Sequence, residues 1–239
     1  MSPGAHFLSS RPSDVHSSRP WAPFSYVNTR LDGLVRDLMA AAGVEAGSRL
    51  LDYGCAQQPY RGFVPPGAEY VGADLIGNPQ ADVVLGDDGR VPLPDGSVDA
   101  VLSTQVLEHV TDPSVYLTEC HRLLRPGGSL LLSTHGIMYY HRDPEDYWRW
   151  TSPGLAALVE SHGFEVRGSF GVLGLAAASL QLFQDATVGR VPRILRAPYL
   201  FLLQAAVRLA DRGQSAQARV DNGLVIAVHA VRGPATSTP

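Results

Sequence analysis

The chain has 239 residues, of which 45% are hydrophobic and 18% charged. That is enough apolar material to bury a core and too little charge for a disordered chain. The formal net charge is −4, from 19 basic and 23 acidic residues, which argues against a general nucleic-acid binder because such proteins need a basic footprint to displace counterions.

Every basic residue is Arg and none is Lys, while Ile and Asn are scarce. This bias reads as GC-rich, bacterial coding rather than as selection for guanidinium chemistry. Two cysteines, Cys55 and Cys120, give no disulfide framework and no CxxC metal knuckle. Reduced thiols fit a cytoplasmic setting. The N-terminal stretch lacks the apolar centre of a secretory signal. No run reaches the roughly 18 apolar residues of a spanning helix.

Taken in chain order, residues 1–22 are rich in Ser, Pro and Arg without periodicity and predict a flexible tail. Val27, Leu31, Leu34, Val35, Leu38 and Met39 share a helical face, and Gly43 ends that helix. Short apolar runs then alternate with helical stretches. Strands are predicted at 49–53, 70–74, 82–85, 99–103 and 129–134. Residues 113–124 predict a helix stopped by Arg125-Pro126-Gly127-Gly128. A further helix after Ser152 ends near Gly163, and strands follow near 165–169 and 223–231. Between these last two strands lies an insertion, 171–219. It carries apolar helical stretches at 172–183 and 199–209, flanked by Arg190, Arg193, Arg196, Arg208, Arg212 and Arg219. Residues 233–239 predict a second tail, leaving one domain over 23–232. The expected fold class is α/β: a doubly wound, Rossmann-like, seven-stranded and mostly parallel sheet. Its last strand is expected to be antiparallel, with a helical cap inserted before it.

Candidate chemistry gathers at the strand ends. Leu50-Leu51-Asp52-Tyr53-Gly54-Cys55-Ala56 is an apolar strand running into a small-residue turn, where backbone N–H groups can approach a ligand. By itself it is equally well a plain structural turn. Val71-Gly72-Ala73-Asp74 ends a second strand in an acid that can accept both hydroxyls of a ribose. Gly86-Asp87-Asp88 ends the third. Gln105-Val106-Leu107-Glu108-His109-Val110 and Leu124-Arg125-Pro126-Gly127-Gly128 follow in order. A nicotinamide-binding sheet would need G-x-G-x-x-G, and Gly54-Cys55-Ala56-Gln57-Gln58-Pro59 does not supply it.

This series resembles the class I S-adenosylmethionine-dependent methyltransferases over residues 50–163. The resemblance implies that Asp52 and the backbone of Gly54, Cys55 and Ala56 face the methionine half of S-adenosyl-L-methionine. Asp74 would bind ribose, with Leu75 beside it. Asp87 would meet the adenine amino group, and Asp88 would offer its backbone N–H. Thr104 and Gln105 would sit near the sulfonium and ribose. His109 would support that loop, or be an ordinary helix-edge histidine. Tyr26 and Arg30, on an N-terminal helix acting as a lid, would lie near the methionine carboxylate; the plain alternative is a packed helix with a solvent-facing Arg30. Ala56 stands where such proteins commonly have Gly, which is tolerated if its φ stays below zero.

The run from Thr134 to Thr151 holds two His, three Tyr, two Trp, two Arg and three acids, on the ligand-binding edge of such a sheet. It resembles a His-x-x-x-Pro-x-Asp-Tyr-Trp-Arg-Trp-Thr segment of one methyltransferase subgroup acting in sugar, lipid or natural-product pathways. An oxygen acceptor must lose a proton, so His141, oriented by Asp143 or Asp146, or alternatively His135, is the candidate base. Tyr139, Tyr147, Trp148 and Trp150 would wall a substrate pocket, or else pack as a lid. Arg149 would bind a carboxylate or phosphate, or pair with Asp146 or Glu145. The histidines and acids show no metal-ligand spacing, so no metal is expected.

The expected function is methyl transfer from S-adenosylmethionine to a small-molecule, sugar or natural-product acceptor, at oxygen. The alternatives are N-methylation of a small amine, methylation of a lipid-linked glycan, or binding of S-adenosylmethionine without turnover. The 171–219 helices would cap the substrate, make a homodimer of an otherwise monomeric chain, or rest on an anionic membrane surface.

Overall fold

The computed structural model describes residue 19 and residues 21–142 and 145–233. Most of both expected tails, and Asp143, lie outside the described residues.

Seven strands form one sheet: β1 (Arg49–Tyr53), β2 (Glu69–Asp74), β3 (Val83–Val84), β4 (Val98–Thr104), β5 (Leu124–His135), β6 (Phe164–Val172) and β7 (Val225–Arg232). Their order is β3-β2-β1-β4-β5-β7-β6. The first five run parallel, and β7 is antiparallel to both β5 and β6. The central strands are apolar on both faces because helices cover both. Leu51, Val101, Leu130 and Leu132 pack on one side with Leu117, Leu123 and Leu155. These helical residues come from α2 (Pro113–Leu123) and α3 (Ser152–Glu160). Leu50, Leu102 and Leu131 pack on the other side with Leu31, Val35 and Leu38 of α1 (Ser25–Ala41). The result is the doubly wound, Rossmann-like α/β sheet that the strand–helix alternation predicts.

Local chemistry sets the element ends. Asp112 caps α2 by accepting from the N–H groups of Ser114 (2.9 Å) and Val115 (3.2 Å), with Pro113 in the first turn. Thr151 caps α3 through the Gly154 N–H.

Three helices occupy the insertion: α4 (Leu175–Thr187), α5 (Arg193–Arg212) and α6 (Ala216–Asn222). Residues 172–173 were expected to begin the first of these helices. Instead β6 runs on to Val172, where the sheet's ladder to β7 claims it. Gly171 makes that extension fit, because a Cβ there would lie 1.9 Å from the Arg219 carbonyl oxygen.

The inserted helices buttress α1. The Pro23 carbonyl accepts from the amides of Gln181 (3.0 Å), Gln184 (2.7 Å) and Gln204 (2.9 Å), all buried. On its solvent side α5 leaves Ile194, Leu202 and Leu209 exposed, with Ile194 at 87%. Among the described residues no helix is long and apolar enough to cross a membrane.

Candidate functional site

The strand order reverses direction between β1 and β4, and a crevice opens at the carboxyl ends of strands on either side of such a switch. Here it is a cavity of about 1540 Å³. Its walls include Asp52–Ala56 after β1, Asp74 and Leu75 after β2, Asp87 and Asp88 after β3, and Thr104, Gln105 and His109 after β4. His135, Tyr139 and His141 line its far side.

At β1 the backbone turns sharply. Gly54 sits at φ +90°, and a Cβ there would lie 2.5 Å from Val106 Cγ2. Only glycine lets the β1 turn pack against the β4 turn. Ala56 follows at φ +46°, the left-handed region. The condition for an easily tolerated alanine, φ below zero, is therefore not met. Two contacts hold it there: its N–H donates to Asp74 Oδ2 (2.8 Å), and its carbonyl accepts from Asn78 Nδ2 (2.7 Å). An alanine in this region costs about 1–2 kcal/mol relative to its right-handed state. Glycine escapes that cost but gains unfolded-chain entropy. Ala56→Gly is thus expected to raise stability by roughly 0.5–1 kcal/mol, read as a higher denaturant midpoint; a lower midpoint rejects the strain.

Asp74 spends its carboxylate on this turn. Oδ2 accepts from Ala56 N–H and Asn78 Nδ2 (2.7 Å), and Oδ1 accepts from Leu75 N–H (2.8 Å). About four acceptor sites exist on a carboxylate, so capacity for a ribose hydroxyl remains. Leu75 and Ile76 are exposed beside it, an apolar step against which a flat base could rest. Asp87 and Asp88 are exposed at the cavity edge, and Asp88 Oδ1 accepts from the Arg90 N–H (3.1 Å). Cys55 is buried. Burial, then the neighbouring Asp52 and Asp74 charges, push its thiol up to about 12, so it offers backbone and shape rather than a nucleophile.

Asp52 is 2% exposed and accepts from the Tyr70 hydroxyl. Burial raises its pKa to about 7, against the Tyr70 hydrogen bond and with help from Asp74. A carboxyl raised in this way holds a proton that the unfolded chain has already released. Its stabilising contribution is present below its unfolded value near 4 and is lost as pH rises through about 7. The apo protein is expected to lose stability from pH 5 to pH 8, on the order of 3 kcal/mol at most from this group. Asp52→Asn should flatten that slope in thermal melts; an unchanged slope rejects the assignment.

After β4, Gln105 also takes a positive φ, +57°. Its Nε2 donates to Ser133 Oγ (3.0 Å), but its Oε1, and Thr104 Oγ1 beside it, are buried without a hydrogen-bond partner. Buried orphans are uncommon and mark places where a ligand can supply the missing bond.

The next turn contributes Glu108, a residue to which the sequence reading gave no role. It is wholly buried. Burial raises its pKa to about 7, opposed by its own backbone N–H and by Thr134. Thr134 Oγ1 donates to Oε2 (2.8 Å), while Oε1 lies 3.2 Å from His135 Nδ1. His135 is buried at the end of β5, and desolvation, reinforced by His141, Arg149 and His109, drives its pKa well below the ordinary histidine value. His141 stands over it, ring centroids 4.7 Å apart, and lies 5.1 Å from His109. His109 Nδ1 donates to the Glu145 carbonyl (2.6 Å). Four side chains thus converge from three chain segments, and Glu108, His135 and His141 each bring a metal-ligating atom within 4.8 Å of the others. The only linear clue was an acid set between Leu107 and His109.

Several expected site residues face elsewhere. Asp146 does not orient the His141 ring; it accepts the His141 backbone N–H (2.8 Å) and a two-pronged contact from Arg149. Burial opposes its ionisation, but Arg149 and the His141 N–H bring its pKa down to about 2. Arg149 is consumed by Asp146 and by the carbonyls of Met138, Tyr139 and Trp148, so it ties the loop together instead of meeting a substrate anion. Tyr147 and Trp148 dock on the Glu108 carbonyl through their N–H groups, and the Trp148 indole donates to Val110 O (2.8 Å). Trp148 and Trp150 stack at 5.9 Å. None of these four lines the cavity; of the expected substrate wall only Tyr139 does. Tyr26 and Arg30 likewise turn away from the cavity. The Tyr26 hydroxyl donates to Asp211 Oδ2 (2.9 Å), and Arg30 lies 3.6 Å from the same oxygen, joining α1 to α5. Phe24, Val27, Asn28 and Leu31 present α1 to the cavity in their place. The cavity wall includes no residue of α4, α5 or α6 among the described residues, so these helices brace α1 where a substrate cap was expected.

Residues 51–132 match the family described as Methyltransferase domain. A protein of Mycolicibacterium smegmatis described as a probable S-adenosylmethionine-dependent methyltransferase is 34% identical over 169 residues, 64% of this chain and 66% of that one. A ubiquinone biosynthesis O-methyltransferase of Cereibacter sphaeroides is 34% identical over 129 residues, 47% of this chain and 49% of its own. The chain spans two thirds or less of the length of such curated relatives. Among solved structures, Burkholderia thailandensis 1,6-didemethyltoxoflavin-N1-methyltransferase, crystallised with its namesake compound and S-adenosylhomocysteine, superposes with TM-score 0.54 at 18% identity. That match covers 88% of this chain and 84% of the other, a likeness of fold.

Proposed function

We propose, from the premise that this chain carries a class I S-adenosylmethionine-dependent methyltransferase domain, that it methylates an oxygen of a small-molecule or glycan acceptor. The observation that carries the reading is convergence. The acids of three strand ends, two orphaned polar groups after β4 and a histidine cluster all meet one cavity. When bound, S-adenosylmethionine supplies a methyl carbon on a positively charged sulfur. Asp74 accepts from ribose hydroxyls, Asp87 accepts from the adenine amino group, and Asp52 faces the cationic methionine half. Thr104 and Gln105 find partners at the ribose and sulfur side. His141 takes the proton of the acceptor hydroxyl. His135 is too weakly basic for that task and positions His141 from beneath. Apolar walls from α1 and Tyr60 exclude water.

Calorimetry with S-adenosylhomocysteine tests the donor site, where a single binding event is expected and no heat overturns the reading. Formation of S-adenosylhomocysteine with hydroxylated acceptors tests turnover; binding without any turnover would favour a sensor.

A second reading, a lipid-linked acceptor, is favoured by the exposed Ile194, Leu202 and Leu209 on a helix that begins with Arg193. On that reading the protein co-sediments with phosphatidylglycerol vesicles and Leu202→Glu reduces the bound fraction severalfold. Absence of co-sedimentation rejects it.

A further inference from the structure

We propose that Glu108, His135 and His141 form a binding site for one divalent cation of the zinc, cobalt or iron(II) kind, open to the cavity.

The donor geometry is the first ground. Each of the three residues offers one ligand atom, and all three atoms lie within 4.8 Å of one another. Glu108 Oε1 and His135 Nδ1 are 3.2 Å apart, the separation of two donors that each stand about 2.1 Å from a common ion. The His141 donor lies within 4.8 Å of both, close enough for a side-chain adjustment to complete the set.

The second ground is what these atoms lack. Glu108 Oε1 and His135 Nδ1 have no hydrogen bond, although Glu108 is fully buried and His135 is 7% exposed. A buried unpaired carboxylate oxygen is costly. One cation between them satisfies both atoms.

Support around the three side chains has the form expected of a metal centre. Thr134 holds the other oxygen of Glu108, so Oε1 is left facing His135. The His141 backbone is pinned by Asp146, itself gripped by Arg149. His109 donates from Nδ1 to Glu145 O, so its Nε2 carries the lone pair in the neutral ring, 4.0 Å from Glu108 Oε1. Hydrogen bonds of this kind fix tautomer and ring orientation in metal sites. Two imidazoles with one carboxylate suit borderline metals; magnesium and calcium prefer all-oxygen shells. Linear spacing could not reveal the set, because its members come from the turn after β4, the end of β5 and the loop beyond.

The inference rests on the oxygen-acceptor reading for its role. His135 and His141 line the cavity, so the ion's open positions face the acceptor. A coordinated hydroxyl loses its proton to water more readily, and the oxygen then bonds the methyl carbon while the C–S electron pair stays on sulfur. In that state His141 is a ligand and the ion performs the activation.

The test uses chelator-stripped, tag-free protein titrated with Co²⁺ and followed by its visible absorption, alongside S-adenosylhomocysteine calorimetry on the same sample. About one equivalent of Co²⁺ per chain is expected, with His141→Ala and Glu108→Gln each weakening it at least about tenfold. S-adenosylhomocysteine affinity should stay within about threefold in His141→Ala. Glu108→Gln is buried and can unfold the chain; His141→Ala, on a half-buried loop, carries the test alone if it does. Uptake below about 0.1 equivalent, or equal Co²⁺ binding by wild type and His141→Ala, overturns the site. Loss of S-adenosylhomocysteine binding by the wild type instead overturns the methyltransferase reading, so the two failures are distinct.

Discussion

Asp74→Ala is expected to weaken S-adenosylhomocysteine binding about a hundredfold while the chain stays folded. Two effects add. A ribose hydroxyl loses a charged acceptor, worth about 1.5–3 kcal/mol. The Ala56 N–H and Asn78 amide lose the oxygen that now holds them, so the β1 turn must be ordered again on binding. About 3 kcal/mol is two decades in affinity. The core is expected to survive, because Asp74 belongs to neither apolar cluster. Calorimetry on Asp74→Ala beside a thermal melt separates the two; affinity within about threefold of wild type removes the ribose assignment. Asp74→Asn should fall between, since its amide oxygen can still accept one of the two donors.

The second large effect is on turnover. His141→Ala is expected to lower kcat by about 10²–10³ with KM changed only a few-fold, the signature of a group that acts in the transition state. The geometry makes this specific to His141. The residue is half-buried at the cavity, and its backbone position is set by Asp146 rather than by its own ring. Truncating the ring therefore leaves the loop's anchor in place. Partial recovery on adding imidazole is expected if the ring accepts the proton; if it instead ligates an ion, added imidazole restores metal uptake as well. An unaltered kcat rejects both roles. Asp146→Ala should behave differently. It removes the two-pronged anchor of Arg149 and the acceptor of the His141 N–H, leaving Arg149 only its carbonyl partners, so stability falls together with activity.

Residues of similar sequence appeal part ways here for physical reasons. Tyr147, Trp148, Arg149 and Trp150 looked like a binding wall because aromatic and cationic side chains crowd an exposed edge. The same properties serve packing. The Trp148 N–H needs one acceptor, which Val110 O supplies, and a guanidinium with five donors can hold several carbonyls of one loop. Tyr26 and Arg30 had the residue types of a carboxylate clamp, yet Asp211, on α5 far along the chain, claims both. Composition cannot say which acid a given Tyr or Arg will find.

The sequence by itself determined the sheet and the strand ends that line the cavity. Apolar runs ended by Asp and Gly state where strands stop, and Asp52, Asp74 and Asp87 fall within three residues of those stops. That information is local, carried by neighbours within a few positions, and it survived folding almost unchanged. Only the tertiary structure decided the left-handed turn at Ala56, the reassignment of α4 and α5 from cap to brace, and the meeting of Glu108 with His135 and His141. Those outcomes depend on which way side chains point once distant segments pack, and on which buried group each polar atom is left to face.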